Sequence, residues 1–172
     1  NVWIGNRQGL SILNASNDTW QHIKSLSFAK SSNVPDVIKD LQADGMHMWV
    51  ATYNDGVYKV NINTLLRAHY STDSKVKTDL QKVKTLLVDS NKNVWAGGEE
   101  GGLTQISASG KVKTIALQEI DAIIELSSGD FLAAGKEGVF RVFNGNYKIQ
   151  PITKISPNAK DLPYFTVNAM AE

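Results

Sequence analysis

The sequence predicts an all-β chain made of four copies of one four-stranded unit, and three observations carry that prediction. The first is a repeated stretch: NVWIGNRQGL opens the chain, and MHMWVATYNDGVYKV, NVWAGGEEGGLTQI and GDFLAAGKEGVFRV follow in order. Each copy joins a Trp (Leu in the last) to a run of small residues, a polar turn ending in Gly, and an alternating apolar strand. The second is spacing, since Trp3, Trp49 and Trp95 stand 46 residues apart and Leu132 follows 37 residues later. The third is length: 172 residues divide into four units near the roughly 40 to 45 residues of a propeller blade. The expected architecture is a β-propeller with four blades' worth of four-stranded antiparallel sheets.

Each unit supplies its strands in the same order. A compact apolar run comes first, as VIKDLQA, VKTLLVD and IDAIIEL, and a turn of Asp, Gly, Ser and Asn follows it (ADGMH, DSNKN, SSGD), which is hairpin chemistry. The Trp strand is second. A polar turn ending in Gly9, Gly56, Gly102 or Gly138 leads to the third strand, where Val57 and Lys59 alternate with Tyr58 and Val60 at the period of two that places alternate side chains on opposite faces. The fourth strand is more polar and carries Trp20 and Ile23, Ala68 and Tyr70, Val112 and Ile115, or Tyr147 and Ile149. VPDVIKDLQADG and TDLQKVKTLLVD also carry apolar residues at helical spacing, but the Trp strand after each favours β.

Units two and three align without a gap, placing Val37 on Val83, Leu41 on Leu87, Trp49 on Trp95 and Gly56 on Gly102. The expected blades cover about 36–76, 82–117 and 119–155, with blade 1 at about 1–30. PYFTVNAMAE at the far end matches a first strand, so residues 165–172 are expected to complete blade 1. Pairing of the two chain ends in one blade removes an exposed sheet edge. An arc of a larger ring is favoured over four blades closing on themselves.

Composition narrows the function. Eighteen basic and seventeen acidic side chains leave a net charge of +1, which gives no polyanion-binding surface and no expectation of nucleic acid as a partner. The absence of cysteine removes disulfides, thiolate zinc sites and thiol nucleophiles. No apolar run reaches the roughly 18 residues that span a bilayer, so a signal peptide or anchor is expected only in parts of the protein outside this stretch.

Trp3, Trp49, Trp95 and Leu132 recur at one strand position and are expected to fill the core between twisted sheets rather than form a sugar platform. Trp20, on an outer strand, is expected to be partly exposed. The turns between second and third strands are the ligand-binding candidates, because loops on a rigid scaffold gather at one rim of a propeller. They supply Asn6, Arg7 and Gln8; Tyr53, Asn54 and Asp55; Glu99 and Glu100; and Lys136 and Glu137, a set suited to a sugar or an organic acid.

Other motifs are weaker. DSNKN at Asp89 to Asn93 begins like a calcium loop but has Val94 where Gly belongs, and to reach Glu100 at position twelve the loop would have to run through the Trp strand, so Asp89 is expected to stabilise a turn. His22, His47 and His69 share no ligand spacing, and GGEEGG at Gly97 to Gly102 joins strand to strand rather than strand to helix. No metal or cofactor is expected.

The copies WIGNRQGL, WVATYNDGVYKV and WAGGEEGGLTQI, preceded by ADGMHM and DSNKNV, resemble the two-component regulator propeller repeat, and the resemblance covers essentially the whole chain. It departs at Leu132, and at the fourth position, where Thr survives only as Thr52. The resemblance implies a non-enzymatic, periplasmic or extracytoplasmic sensory domain of a bacterial inner-membrane receptor: a sensor kinase, hybrid regulator or diguanylate cyclase. It implies a small ligand and the remaining receptor domains across the membrane as partners, and a homodimer is a further expectation. The alternatives are a lyase resembling streptogramin-lyase propellers, which needs a histidine beside carboxylates near the channel, and a protein-interaction propeller.

Overall fold

A computed structural model describes residues 1–27, 36–71, 80–152 and Met170. Its strands form successive antiparallel sheets. Blade 1 holds β1 (Val2–Asn6), β2 (Gly9–Asn14) and β3 (Thr19–Ile23). Blade 2 holds β4 (Ile38–Asp44), β5 (His47–Thr52), β6 (Val57–Asn61) and β7 (Arg67–Tyr70). Blade 3 holds β8 (Val83–Val88), β9 (Val94–Gly98), β10 (Leu103–Ile106) and β11 (Val112–Ile115), and blade 4 holds β12 (Ile120–Glu125), β13 (Phe131–Gly135), β14 (Gly138–Val142) and β15 (Ile149–Pro151). In every sheet the strands lie in chain order, so each blade is a meander. The expected first strand of blade 1, residues 165–172, lies outside the described residues apart from Met170.

The blades stack in sequence with their innermost strands β4, β8 and β12 side by side. Three apolar clusters fill the three junctions. Leu10, Ile12 and Leu26 of blade 1 meet Ile38, Val50, Tyr58 and Val60 of blade 2. Trp49 and Val57 meet Val83, Leu86, Val94 and Ile106, and Trp95, Leu103 and Ile115 meet Ile120, Phe131 and Val142. Each fully buried side chain of this size contributes about 1.5–3 kcal/mol, so the junctions, more than the individual sheets, hold the arc together. Two small residues let the blades approach: a Cβ on Gly5 would fall within 2.7 Å of the Ile38 side chain, and one on Gly97 within 2.9 Å of the Ile120 side chain.

The Trp position has the same register toward the next strand in all four blades, Trp3 pairing with Ile12, and toward the first strand differs only by the turn length. Trp49 pairs with Gln42 and Lys59, Trp95 with Leu87 and Gln105, and Leu132 with Ile124 and Arg141. The core role expected of all four residues holds for Trp49 and Trp95, which are buried. Trp3 and Leu132 are only half-buried. Trp3 packs toward blade 2 from the outermost described strand on its side of the sheet, and Leu132 lies on the face of blade 4 opposite to Phe131, which meets blade 3.

Two details of the repeat alignment differ from expectation. Leu41 pairs with Val50 as Leu86 pairs with Ala96, so Leu41 matches Leu86 and Ile38 matches Val83. The gap-free match of Val37 with Val83 is off by one, because the turn from Asp89 to Asn93 is one residue longer than its counterpart in blade 2. Tyr147 is not on the fourth strand; it sits in the preceding turn with φ of 56° and reaches back to blade 3, where its hydroxyl donates to Gln105 Oε1 at 2.9 Å.

Candidate functional site

The four hairpins singled out by sequence join β1 to β2, β5 to β6, β9 to β10 and β13 to β14. Each ends on a glycine with positive φ, at Gly9 (118°), Gly56 (76°), Gly102 (63°) and Gly138 (104°), a region that L side chains adopt with strain. At Gly102 a Cβ would also lie 1.9 Å from the Leu117 carbonyl oxygen.

Beside these hairpins, each described inner strand carries a bulge. Pairing slips between Ile38 and Asp40, between Val83 and Thr85, and between Ile120 and Ala122. The extra residues are Lys39, Lys84 and Asp121, one per blade at the same place. A bulge re-aims its side chain, and here it brings charged groups to the hairpins. Lys39 Nζ lies 5.7 Å from the centre of the Tyr53 ring. Lys84 Nζ contacts Glu119 at 2.5 Å, Asp121 at 2.8 Å and Glu99 at 3.8 Å. Tyr53 donates from its hydroxyl to Glu99 at 2.9 Å, and Lys82 meets Glu100 at 2.5 Å and Glu99 at 3.6 Å.

The result is a continuous polar chain across blades 2, 3 and 4. Four carboxylates (Glu99, Glu100, Glu119, Asp121) face two lysines (Lys82, Lys84), with Lys39 and Lys136 at its flanks. Burial works against the charge on Lys84, but hydrogen bonds to Asp121 and Glu119 outweigh it and hold its pKa above the ordinary lysine value. The same hydrogen bond from Lys84 holds Glu119 below its usual range. The hydrogen bond to Glu99, with some burial, raises the Tyr53 phenol, and Glu100 raises Lys82.

The structure therefore assembles Tyr53, Glu99 and Glu100 from the predicted set and leaves others apart. Asn6, Arg7 and Gln8 are exposed, and the hydrogen bond among them is local, from the Gln8 amide to Asn6 Oδ1 at 2.7 Å. Asn54 is exposed as well. Asp55 is held within its own blade, where Tyr58 of β6 donates to its carboxylate at 2.6 Å and His69 Nε2 of β7 lies 2.6 Å from its carbonyl oxygen. Lys136 acts on Glu119 at longer range. Glu137 lines a different feature, an open cleft of about 470 Å³ with Leu117, Gln118, Phe140 and Ile149. That cleft lies where the connection from β11 to β12 is shorter than the other two, a difference already visible as the 37-residue spacing to Leu132.

Lys39, Lys82, Lys84, Glu119 and Asp121 escaped the sequence reading because they lie just before or inside the apolar first strands. Their common signal is a charged residue directly after the first apolar residue of each strand: Lys39 after Ile38, Lys84 after Val83, Asp121 after Ile120.

Asp89 is the turn residue expected. Its carboxylate accepts from the Asn91 and Asn93 amides at 2.9 and 2.8 Å, from Asn93 Nδ2 at 3.0 Å and from Trp95 Nε1 at 2.9 Å. Among the described residues no group of three or more His, Asp or Glu side chains is placed to hold a metal ion. His22 and His69 lie on outer strands, paired with Ser11 and Asp55.

No family model and no curated relative matches the chain. Solved structures do. A structure named as the extracellular domain of the hybrid two-component system BT4673 of B. thetaiotaomicron superimposes with a TM-score of 0.74 at 22% identity, over 97% of this chain and 23% of that one. The corresponding domain of BT3049 from the same organism gives 0.70 at 19% identity, over 86% and 21%. A chain of the mitotic checkpoint complex gives 0.65 at 12% identity, over 91% and 47%. The chain has the propeller fold. It spans about a quarter or less of the length of the two-component domains it resembles.

Proposed function

We propose that this chain is part of the extracytoplasmic sensory propeller of a bacterial membrane signalling receptor, whether sensor kinase, hybrid regulator or diguanylate cyclase, and that it binds ligand rather than catalysing a reaction. The observation that carries the reading is the agreement of two independent likenesses, the repeat resemblance in sequence and the superposition over 97% of the chain on an extracellular two-component domain.

The ligand site is the polar chain at Tyr53, Lys82, Lys84, Glu99, Glu100, Glu119 and Asp121. Carboxylates outnumber ammonium groups there, and an acceptor-rich surface binds groups that donate hydrogen bonds. This favours a hydroxyl-rich ligand such as a sugar over an organic acid, whose carboxylate would meet Glu99 and Glu119. The other receptor domains across the membrane are its partners, and dimerisation is part of the same proposal.

A thermal-shift screen of neutral sugars and organic acids against the receptor ectodomain tests this, followed by titration of hits into Tyr53→Phe and Glu99→Gln. Loss of at least about tenfold in affinity, roughly 1.4 kcal/mol, is expected from either substitution. Unchanged binding in both moves the site away from this rim, and the cleft lined by Glu137 and Phe140 is then the next place to probe.

A further inference from the structure

One apolar surface of the described blades has no cover. Cross-strand pairing puts Val2, Leu13 and Trp20 in one row on the face of blade 1 that points away from blade 2, with Ile4, Ser11 and His22 in the next row. Val2 is 50% exposed, Ile4 42% and Trp20 58%. The corresponding rows elsewhere are Met48, Val60 and Arg67; Val94, Ile106 and Val112; and Phe131, Val142 and Ile149. In those blades the row faces the preceding blade: Val60, Val94, Ile106, Phe131 and Val142 are at most 1% exposed.

The cover is also the same each time. Trp3 belongs to the cluster holding Met48 and Val50, Trp49 to the one holding Val94 and Ala96, and Trp95 to the one holding Phe131 and Ala133. In all three junctions the large residue of one Trp strand seats on the two positions that Val2 and Ile4 occupy in blade 1. The polar pair Ser11–His22, with Oγ 2.9 Å from Nδ1, likewise sits where Tyr58 stacks on His69 and Thr104 bonds Thr114, so it is a blade-face pair rather than a catalytic dyad.

We infer that the Val2–Leu13–Trp20 face of blade 1 is an inter-blade interface, covered by a further blade of the same repeat from the same polypeptide, which seats a large side chain at its Trp position on Val2 and Ile4. The ring is then built from more than these four blades. Blade 4 does not fill the role, since Val2, Ile4 and Trp20 are exposed with blade 4 in place. Trp20 is part of this interface and not a sugar-stacking residue. This inference is independent of the ligand proposed above and stands or falls separately.

The chain has no cysteine, which makes a labelling test direct. Ile4→Cys and, as an exposed control, Ala15→Cys are made singly in the whole gene product, with any cysteines outside this stretch replaced. Reaction with a thiol reagent is compared with the same variants unfolded in urea, and with the 172-residue chain alone. The expected result is at least about tenfold protection of Cys at position 4 in the whole protein, little protection in the isolated chain, and none at position 15. Less than tenfold protection in the whole protein overturns the inference. So does protection in the isolated chain: dependence on protein concentration would make a second copy the cover, and independence would make it the chain's own remainder. Should the isolated chain fail to fold, the comparison with urea in the whole protein still decides, and Trp20→Cys repeats it at the outer edge of the same row.

Discussion

At the scale of single residues, Asp89 shows how one side chain fixes a turn and a core residue together. Its buried carboxylate accepts two backbone amides of its own turn and the indole of Trp95. Asp89→Ala leaves those donors without a partner, and each buried unsatisfied group costs about 1–3 kcal/mol. A loss of about 2–4 kcal/mol in urea unfolding is expected. Trp49 offers the contrast: its Nε1 is buried with no hydrogen-bond partner, since Asp44 in the shorter turn of blade 2 pairs with Lys92 instead. Trp95→Phe is therefore expected to cost about 1–2 kcal/mol more than Trp49→Phe, and equal costs would show that the indole bond contributes nothing net. The Asp89 turn was legible in DSNKN, whereas the unequal fates of two identical tryptophans were not, because they follow from one extra residue in a turn.

Lys84 and its acids carry the pH dependence. Glu119 and Asp130 are both held below their ordinary values, Glu119 chiefly by Lys84 and Asp130 by the Asn144 amide and Arg141. A carboxylate lowered in the folded state adds stability above its unfolded value, and that contribution is lost as pH falls through the folded value. Lys84 acts at the other extreme: being raised, it contributes fully below its ordinary value of 10.5, and the contribution disappears as pH climbs through the raised one. Stability is thus expected to fall below about pH 4. Lys84→Met should flatten the Glu119 share of that fall. A denaturation midpoint with the same acid slope in wild type and variant would remove Lys84 from the account.

At the scale of elements, the bulges explain both what the repeat pattern conveyed and what it hid. The second and third strands have a clean period, so Trp49, Trp95, Gly56 and Gly102 could be placed from sequence. The first strand holds an unpaired residue in each described copy, and a one-residue insertion shifts the pairing register without changing which residue types occur. Hence Lys39, Lys84 and Asp121 passed as ordinary strand residues, while the extra residue in the Asp89 to Asn93 turn, and not the bulge that both blades share, put Leu41 on Leu87 rather than Leu86. The same displacement puts Asp40 where its carboxylate accepts from the Leu86 amide of the next blade at 2.7 Å. Ser90 donates from its amide and hydroxyl to Glu125 across the following junction, at 2.8 and 2.6 Å. Asp40→Ala is expected to loosen the junction of blades 2 and 3 by about 1–2 kcal/mol, read as a lower urea midpoint with an unchanged slope; a changed slope would mean that the blades had uncoupled.

At the scale of the molecule, stability in a repeat array is the sum of what each unit contributes and what each neighbouring contact adds. The contacts are unequal. All residues of β9 and β10 are buried, while β1 alternates between exposed and half-buried, and β15 has two exposed residues of three. Blade 3 touches a neighbour on both faces through clusters centred on Trp49 and Trp95, whereas blade 1 meets a described neighbour on one face only. Hydrogen exchange of the 172-residue chain should therefore be slowest in β9 and β10, intermediate in β5 and β6, and fastest in β1, β3 and β15. In the whole protein the protection of β1 should rise toward that of β5, because the blade that covers Val2 and Ile4 makes blade 1 an interior unit. If β1 stayed as fast as β15 there, blade 1 would be a true end of the array, with Val2, Ile4 and Trp20 left in water. Uniform exchange across the chain would instead show that the blades open together, with the junctions too strong for any one blade to open alone.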